Sequence, residues 1–199
     1  MSKPPPKPND TIQAQVEHLT GEAKKLSRAG KEAQALETYR KAAELMPGAP
    51  WLQHRTAELA RKLKQPDVAA QHYRRAGAAF IGAGFPKRAL SPLRTAWALR
   101  VAVLPNDASG FVALTLDLAE LQRELGFPAD GAFTIANANE ALNAAGCKER
   151  APALADAALA GEKPLRASDP ALPPESGVKP TPQGGPLAIL ARLRSALKP

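Results

Sequence analysis

Apolar residues recur at intervals of three and four along most of the chain. Within residues 12–26 the steps are four, three, four and three, at Ile12, Val16, Leu19, Ala23 and Leu26. This spacing places the five side chains on one face of an amphipathic α-helix. The same periodicity returns in later segments as far as about residue 145, with Leu45 and Phe133 among the apolar positions. It predicts a series of amphipathic helices.

Glycine and proline divide this series into separate helices. A glycine tolerates positive φ where a helix ends, and a proline stops one helix or starts the next. The predicted helices cover about 11–29, 31–46, 50–63, 68–83, 110–125, 130–145 and a short 151–160, with a further helix around Ala89, Leu93 and Ala96. We expect the amino-terminal caps among Asn9, Asp10, Thr11, Asp67, Asp107 and Ser109.

The composition favours helices packed at short distances. Alanine is abundant, aromatic residues make up 5% of the chain and β-branched residues are sparse, which disfavours a sheet. The lone Cys147 excludes an internal disulfide, and we interpret it as a half-buried small residue. No signal peptide is visible, and no apolar run approaches the roughly 20 residues that cross a bilayer. We therefore expect a cytoplasmic protein.

One helical motif occurs twice. The sequence Ala-x-x-x-Tyr-x-x-Ala begins at Ala35 and again at Ala69, 34 residues later, and Pro47 closes the first copy. Both the motif and its period resemble the second helix of the tetratricopeptide repeat (TPR). The resemblance implies an all-α, right-handed TPR-like solenoid of helical hairpins, with about seven or eight helices within residues 11–160. Such folds commonly bind other proteins.

The repeats are degenerate. Glu22 stands where the family usually has leucine, and Lys64 replaces the glycine expected near a turn. The segment 68–83 fits the first-helix and the second-helix patterns of the family at once, and the segment around Ala89, Leu93 and Ala96 resembles a second helix. We therefore predict that one helix is shared between two overlapping repeats.

Charge is unevenly distributed along the chain. Residues 51–105 carry ten basic and two acidic side chains, whereas residues 106–163 carry four basic and nine acidic ones. A TPR-like groove lined by first helices would use the basic segment to bind acidic peptides. The residues that we predict for this groove are Trp51, His54, Arg55, Glu58, Arg61, Lys62, Arg74 and Arg75. A solvated basic face without a ligand is the alternative.

Both ends of the chain differ from the helical domain. Residues 1–10 are polar and proline-rich, which predicts a disordered arm, and residues 161–185 form a Pro/Gly-rich linker. Residues 186–199 then predict a short basic amphipathic helix, with the motif residues Leu187, Leu190, Leu193, Arg194 and Leu197. Three hypotheses remain for this helix: it binds a second protein, it lies on an anionic membrane, or it folds back on the acidic part of the solenoid.

These features favour a non-catalytic scaffold that holds protein partners together. No nucleotide-binding, hydrolase or metal-ligand spacing occurs in the sequence, so no enzyme, metal or cofactor is predicted. Nucleic-acid or membrane-surface binding by the basic residues 51–105 and the basic tail is the alternative function. Homo-oligomerisation remains open.

Overall fold

The computed structural model describes residues 8–104, 106–147 and 149, and these residues form an all-α array. Consecutive helices pack against one another in chain order. This arrangement confirms the predicted all-α, TPR-like solenoid. Within the described residues the helices are α1 (Pro8–Arg28), α2 (Glu32–Leu45), α3 (Pro50–Lys62), α4 (Pro66–Gly82), α5 (Pro86–Val101), α6 (Ala108–Glu124) and α7 (Pro128–Ala144).

The repeated Ala-x-x-x-Tyr-x-x-Ala motif lies in the core. Both alanines of each copy are fully buried, and Tyr39 and Tyr73 are only 2% and 3% exposed. Because alanine has a small side chain, neighbouring helices approach closely at these positions, and the two tyrosine rings fill the remaining space. The periodicity thus correctly predicted which side of α2 and α4 is buried.

Most of the tight turns share one conformation. Gly30, Gly84, Gly126 and Gly146 have φ between 74° and 86°, and Lys64 occupies the equivalent position with φ of 57°. In each turn the amide of the following residue donates to a carbonyl five residues earlier; Phe85 N, for example, donates to Phe80 O at 2.9 Å. These are Schellman-type helix ends, in which the left-handed residue satisfies terminal carbonyl groups.

The helix α4 packs extensively against both α3 and α5. Gly77 permits the second contact, because a Cβ atom at this position would lie 2.6 Å from Cδ2 of Leu93 on α5. The turns on either side of α4, at Lys64 and Gly84, are of the same type. The helices α3, α4 and α5 therefore form a three-helix unit.

A mixed polar and aromatic seam joins α5 to α6. The indole Nε1 of Trp97 donates to Oγ1 of Thr115 at 2.9 Å, and the Trp97 ring lies 5.5 Å from the Phe111 ring. Asp107 caps α6 by accepting from the Gly110 amide at 2.9 Å, which was one of the predicted caps. It also pairs with Arg100 across the connection between the helices.

Several local predictions were wrong. Asp67 does not cap α4; it lies in the first turn, and Gln65 occupies the cap position. α1 begins at Pro8, before the predicted caps and inside the predicted arm. Ile12, Leu45 and Phe133 were expected on buried stripes but are exposed, Phe133 by 68%. An apolar stripe is buried only where a neighbouring helix covers it, and periodicity alone does not supply that neighbour. The predicted helix 151–160, the linker 161–185 and the tail 186–199 lie outside the described residues.

Candidate functional site

An open groove of about 510 Å³ lies between α3 and α5, with the carboxyl-terminal half of α4 contributing to it. Its surface is mainly apolar. Alternate helices of an antiparallel array lie on the same side, and α3 and α5 therefore supply most of the lining. The lining residues are Trp51, His54, Arg55, Glu58, Phe80, Arg88, Ser91 and Pro92.

Two aromatic side chains dominate the apolar surface of the groove. Trp51 follows Pro50 in the first turn of α3, where no earlier turn of the same helix can cover it, and it is 53% exposed. Phe80 is half-buried and packs against the main core. An exposed tryptophan beside a firmly packed phenylalanine is a surface on which an apolar side chain of a ligand can pack.

Pro92 forms part of the opposite wall. It is buried within α5, and because proline has no N–H it cannot donate the usual helical hydrogen bond to the Arg88 carbonyl. Ser91, its exposed neighbour, also lines the groove. The α5 wall thus combines a rigid apolar ring with a backbone carbonyl that lacks its helical donor.

The α3 wall carries a charged cluster that is internally compensated. Arg55 Nη1 donates to Glu58 Oε2 at 3.2 Å. The contact with the Tyr39 hydroxyl first, and with the Glu58 carboxylate second, raises the pKa of Arg55. The His54 ring lies edge-on to the Tyr73 ring, with 5.4 Å between centroids. The Arg55 guanidinium is therefore already shared with a carboxylate before any ligand binds.

Arg88 is the groove cation that remains available. Its guanidinium carbon lies 5.0 Å from the centroid of the Phe85 ring, a cation–π contact that orients the side chain without neutralising it. Among the residues that the structure describes, no carboxylate pairs with Arg88. It therefore offers a positive charge at the edge of an apolar groove.

A buried polar network joins α3 to α4. Gln53 is fully buried and donates from Nε2 to Ala43 O at 3.1 Å, while its Oε1 lies 2.8 Å from Nδ1 of His72. The amide oxygen can only accept, so Nδ1 of His72 carries the proton. Burial, and then the charges of Arg75 and Arg40, lower the pKa of His72 to about 4. His72 is thus neutral at pH 7 and ties α4 to α3.

Only half of the predicted groove residues meet at the groove. Trp51, His54, Arg55 and Glu58 line it together. Arg74 instead pairs with the buried Asp117 of α6 at 2.9 Å, and Lys62 pairs with Glu32 of α2. Arg61 is exposed and Arg75 half-buried, and neither of them lines the groove. The clustered guanidinium groups expected from the sequence are therefore dispersed.

Four groove residues were missed by the sequence analysis. These are Phe80, Arg88, Ser91 and Pro92. The reason is the helix register: the segment that became α5 was assigned as a second helix, which would face away from the groove. The sequence did contain a signal for the correct side. Lys64 is followed by Gln-Pro and Gly84 by Phe-Pro, so the two turns are similar in sequence. Two successive turns of the same type place α5 on the same side of the array as α3.

Within the part of the chain that the structure describes, the remaining candidate residues do not form a catalytic or metal site. Cys147 is buried, 6% exposed, as a structural cysteine would be. Over the described ranges 8–104 and 106–147, no three His, Cys, Asp or Glu side chains are placed to share a metal ion. None of the helices in those same ranges is long and apolar enough to span a membrane.

Comparisons with known proteins add little to this site. No family model and no curated protein matches the sequence. Among solved structures that match is the crystal structure of YrrB, described as a TPR protein with an unusual peptide-binding site. The two chains are 17% identical; the match covers 76% of this chain and 92% of that one, with a TM-score of 0.28. At this TM-score no binding residue can be transferred between them.

Proposed function

We propose that this chain is a non-catalytic interaction scaffold whose groove between α3 and α5 binds a peptide segment of a partner protein. The observation that carries the proposal is the exposure of Trp51 in a mainly apolar groove beside Phe80. Large aromatic side chains are usually covered, and those that remain exposed within a concave surface are frequent energetic centres of binding. An apolar anchor residue of the peptide would pack between these two rings.

The charge around the groove favours an acidic residue next to that anchor. Arg88 has no carboxylate partner among the described residues and lies beside the apolar surface. Arg55 is already engaged by Glu58 at 3.2 Å, so a ligand carboxylate would compete for it. We therefore expect one main charge contact, at Arg88, instead of the row of arginine contacts expected from the sequence. Apolar packing would supply most of the affinity.

The second contact of the scaffold hypothesis is a partner bound by the tail segment 186–199. Its leucine and arginine residues suit a helix that docks into a groove of another protein. This segment lies outside the described residues, so the contact remains a prediction from the sequence.

Nucleic-acid binding is less well supported than peptide binding. Three arginines of the basic segment 51–105 are paired with aspartates of the acidic segment: Arg74, Arg94 and Arg100 contact Asp117, Asp130 and Asp107. Nucleic-acid sites need several free cations to contact phosphates, often with exposed aromatic rings on which bases stack. These pairs reduce the positive charge that the segment presents.

Selection from a displayed library of random 12-residue peptides tests the proposal. The bait is the nuclease-treated full chain at about 150 mM salt. We expect enriched sequences to combine an aromatic or leucine residue with a nearby Asp or Glu. Each selected peptide is then measured against Trp51→Ser, which removes the exposed ring, and against Arg88→Glu, which reverses the free charge.

A matched control distinguishes the groove from other exposed rings. Phe127 is 46% exposed and lies in a Gly-Phe-Pro turn outside the groove, so Phe127→Ser should leave binding unchanged. Peptides that bind Trp51→Ser as well as the wild-type chain would contradict the groove assignment. Enrichment of basic peptides, or retention of an oligonucleotide at the same salt concentration, would instead favour another ligand class.

A further inference from the structure

The outer face of α7 is an exposed apolar surface separate from the groove. We define it as Ala129, Phe133, Ala136, Glu140 and Ala144, all of which are exposed. Successive residues of an α-helix are rotated by about 100° around its axis. The residues of the outer face therefore lie on the side of α7 opposite Gly131, Ala138 and Leu142, which are buried. Gly131 marks the α6 side, since a Cβ atom there would lie 2.9 Å from Ala119 O. α6 therefore leaves the outer face uncovered.

Phe133 is the most conspicuous residue of this face. It is 68% exposed, more than any other large apolar side chain among the described residues. Glu140, its neighbour two turns later, forms no ion pair within the described part of the chain. An occupant of this face therefore needs an apolar stripe to cover Phe133 and a basic group for Glu140.

The turn that ends α7 directs the backbone away from Phe133. Gly146 has the same conformation as Gly84, so Cys147 leaves α7 as Phe85 leaves α4. After the turn at Gly84, α5 covers the side of α4 that carries Gly77, while Gln71 stays exposed. Counted back from the two turn glycines, Phe133 corresponds to this exposed Gln71.

We propose that the tail segment 186–199 of the same chain binds the outer face of α7. The segment carries Leu187, Leu190, Leu193 and Leu197 at helical spacing, together with three basic and no acidic side chains. Its charge complements residues 106–147, which hold six acidic side chains and one basic one. The leucines would cover Phe133, and an arginine would pair with Glu140.

The length of the connection suits binding within one molecule. Residues 148–185 separate the described part of α7 from the tail. A flexible chain over the predicted linker 161–185 has an end-to-end distance of about 27 Å, and the predicted helix 151–160 adds about 15 Å. α7 itself is about 25 Å long and a 14-residue helix about 21 Å. The tether therefore reaches the whole outer face and raises the local concentration of the tail to about 1 mM. An outside partner of the tail would then have to displace it from α7.

Hydrogen exchange of residues 186–199 in the full chain, read by mass spectrometry, tests this proposal. A free helix of 14 residues is marginal in water and exchanges almost unprotected. With a local concentration near 1 mM and an intrinsic affinity near 0.1 mM, docking should slow exchange about tenfold. Phe133→Ser should abolish this protection, and Phe85→Ser, which removes an exposed phenylalanine from the turn between α4 and α5, should not.

Reversing the charges on α7 and on the tail supplies a second test, which does not depend on the aromatic ring. Glu140→Lys should weaken the protection of the tail, and combining it with Arg192→Glu and Arg194→Glu should restore it. An unprotected tail in the wild-type chain would overturn the proposal, as would protection that survives Phe133→Ser. Protection that rises with protein concentration, together with a dimer in light scattering, would overturn it in favour of a second copy of the chain.

Discussion

Arg74 and Asp117 form an ion pair across 43 residues of sequence, with 2.9 Å between Nη2 and Oδ2. The Arg74 side chain is 14% exposed and that of Asp117 is 2% exposed. This pair joins α4 to α6, so it connects the three-helix unit to the next helices of the array. A residue predicted to bind acidic ligands thus stabilises the scaffold.

We expect the loss of either partner to destabilise the fold strongly. Arg74→Met removes the Asp117 carboxylate's ion-pair partner, and Asp117→Leu removes the carboxylate that Arg74 contacts; each should cost about 3–5 kcal/mol in the free energy of unfolding. The double variant should cost clearly less than the sum, because both charges of the pair are then removed together. Urea unfolding of the four chains measures this coupling.

The exposed pair Arg94–Asp130 provides the control for this cycle. Its atoms are 2.7 Å apart, but both side chains are about half exposed. Arg94→Ala should therefore cost no more than about 1 kcal/mol. Additive losses in the Arg74–Asp117 cycle would show that the two residues act independently, contrary to the contact seen here.

His72 should make stability depend on pH. Burial lowers its pKa to about 4 in the folded chain, whereas the unperturbed value is 6.5. The neutral form is favoured on folding, so this contribution is complete above pH 6.5 and is lost as the pH falls towards 4. The difference corresponds to roughly 3 kcal/mol. Urea unfolding at several pH values between 7.5 and 4 measures it.

Two variants isolate the histidine from the titrating carboxylates. At pH 7 the His72→Asn chain should be less stable than the wild-type chain. As the pH falls, its free energy of unfolding should decrease less than that of the wild-type chain. His18→Asn, at an exposed position of α1, should follow the wild-type pH dependence. If the curves for all three chains run parallel, the buried Gln53–His72 contact does not control acid stability.

Lys64 occupies a turn position that suits glycine. Its φ is 57°, within the range where a Cβ atom is unfavourable, and the equivalent positions are Gly30, Gly84, Gly126 and Gly146. Lys64→Gly should therefore raise the free energy of unfolding by about 0.5–1 kcal/mol. The matched reverse change, Gly84→Lys, should lower it by a similar amount. A destabilised Lys64→Gly chain would mean that the lysine makes a compensating contact.

Gly77 should tolerate no larger residue. Gly77→Ala places a methyl group 2.6 Å from Leu93 Cδ2, and overpacking of this kind costs about 1–3 kcal/mol. Leu93→Ala removes a fully buried side chain and is itself destabilising, but it also makes room for the new methyl group. The double variant should therefore lose less stability than the sum of the two single losses. Gly21→Ala is the control, since a Cβ atom there meets nothing within 4 Å and should stabilise α1. Thermal unfolding by circular dichroism compares these variants with the wild-type chain.

Local chemistry was enough to predict most of the helices. Glycine, proline and apolar periodicity act within a few residues, so they located the turns at Gly30 and Gly84 and the buried faces of α2 and α4. The same signals correctly gave Asp107 as a cap.

The site depended on contacts between distant residues, and these were predicted less well. The sequence showed a basic and an acidic segment but not that Arg74 would pair with Asp117. Periodicity placed Phe133 on an apolar stripe without saying which side of α7 a neighbour would cover. Arg88 was missed because its helix was assigned to the wrong side of the array. The charged and apolar positions were predicted correctly, but the residues that they contact were not.

The affinity of one library-selected peptide for the full chain, measured by titration calorimetry, tests the proposed groove most directly. We predict that Trp51→Ser weakens binding by about 30-fold and Arg88→Glu by about tenfold, since an exposed aromatic anchor and one free charge contribute roughly these amounts. Phe127→Ser should bind like the wild-type chain. Unchanged affinity for Trp51→Ser, in a chain that remains folded, would contradict peptide binding between α3 and α5.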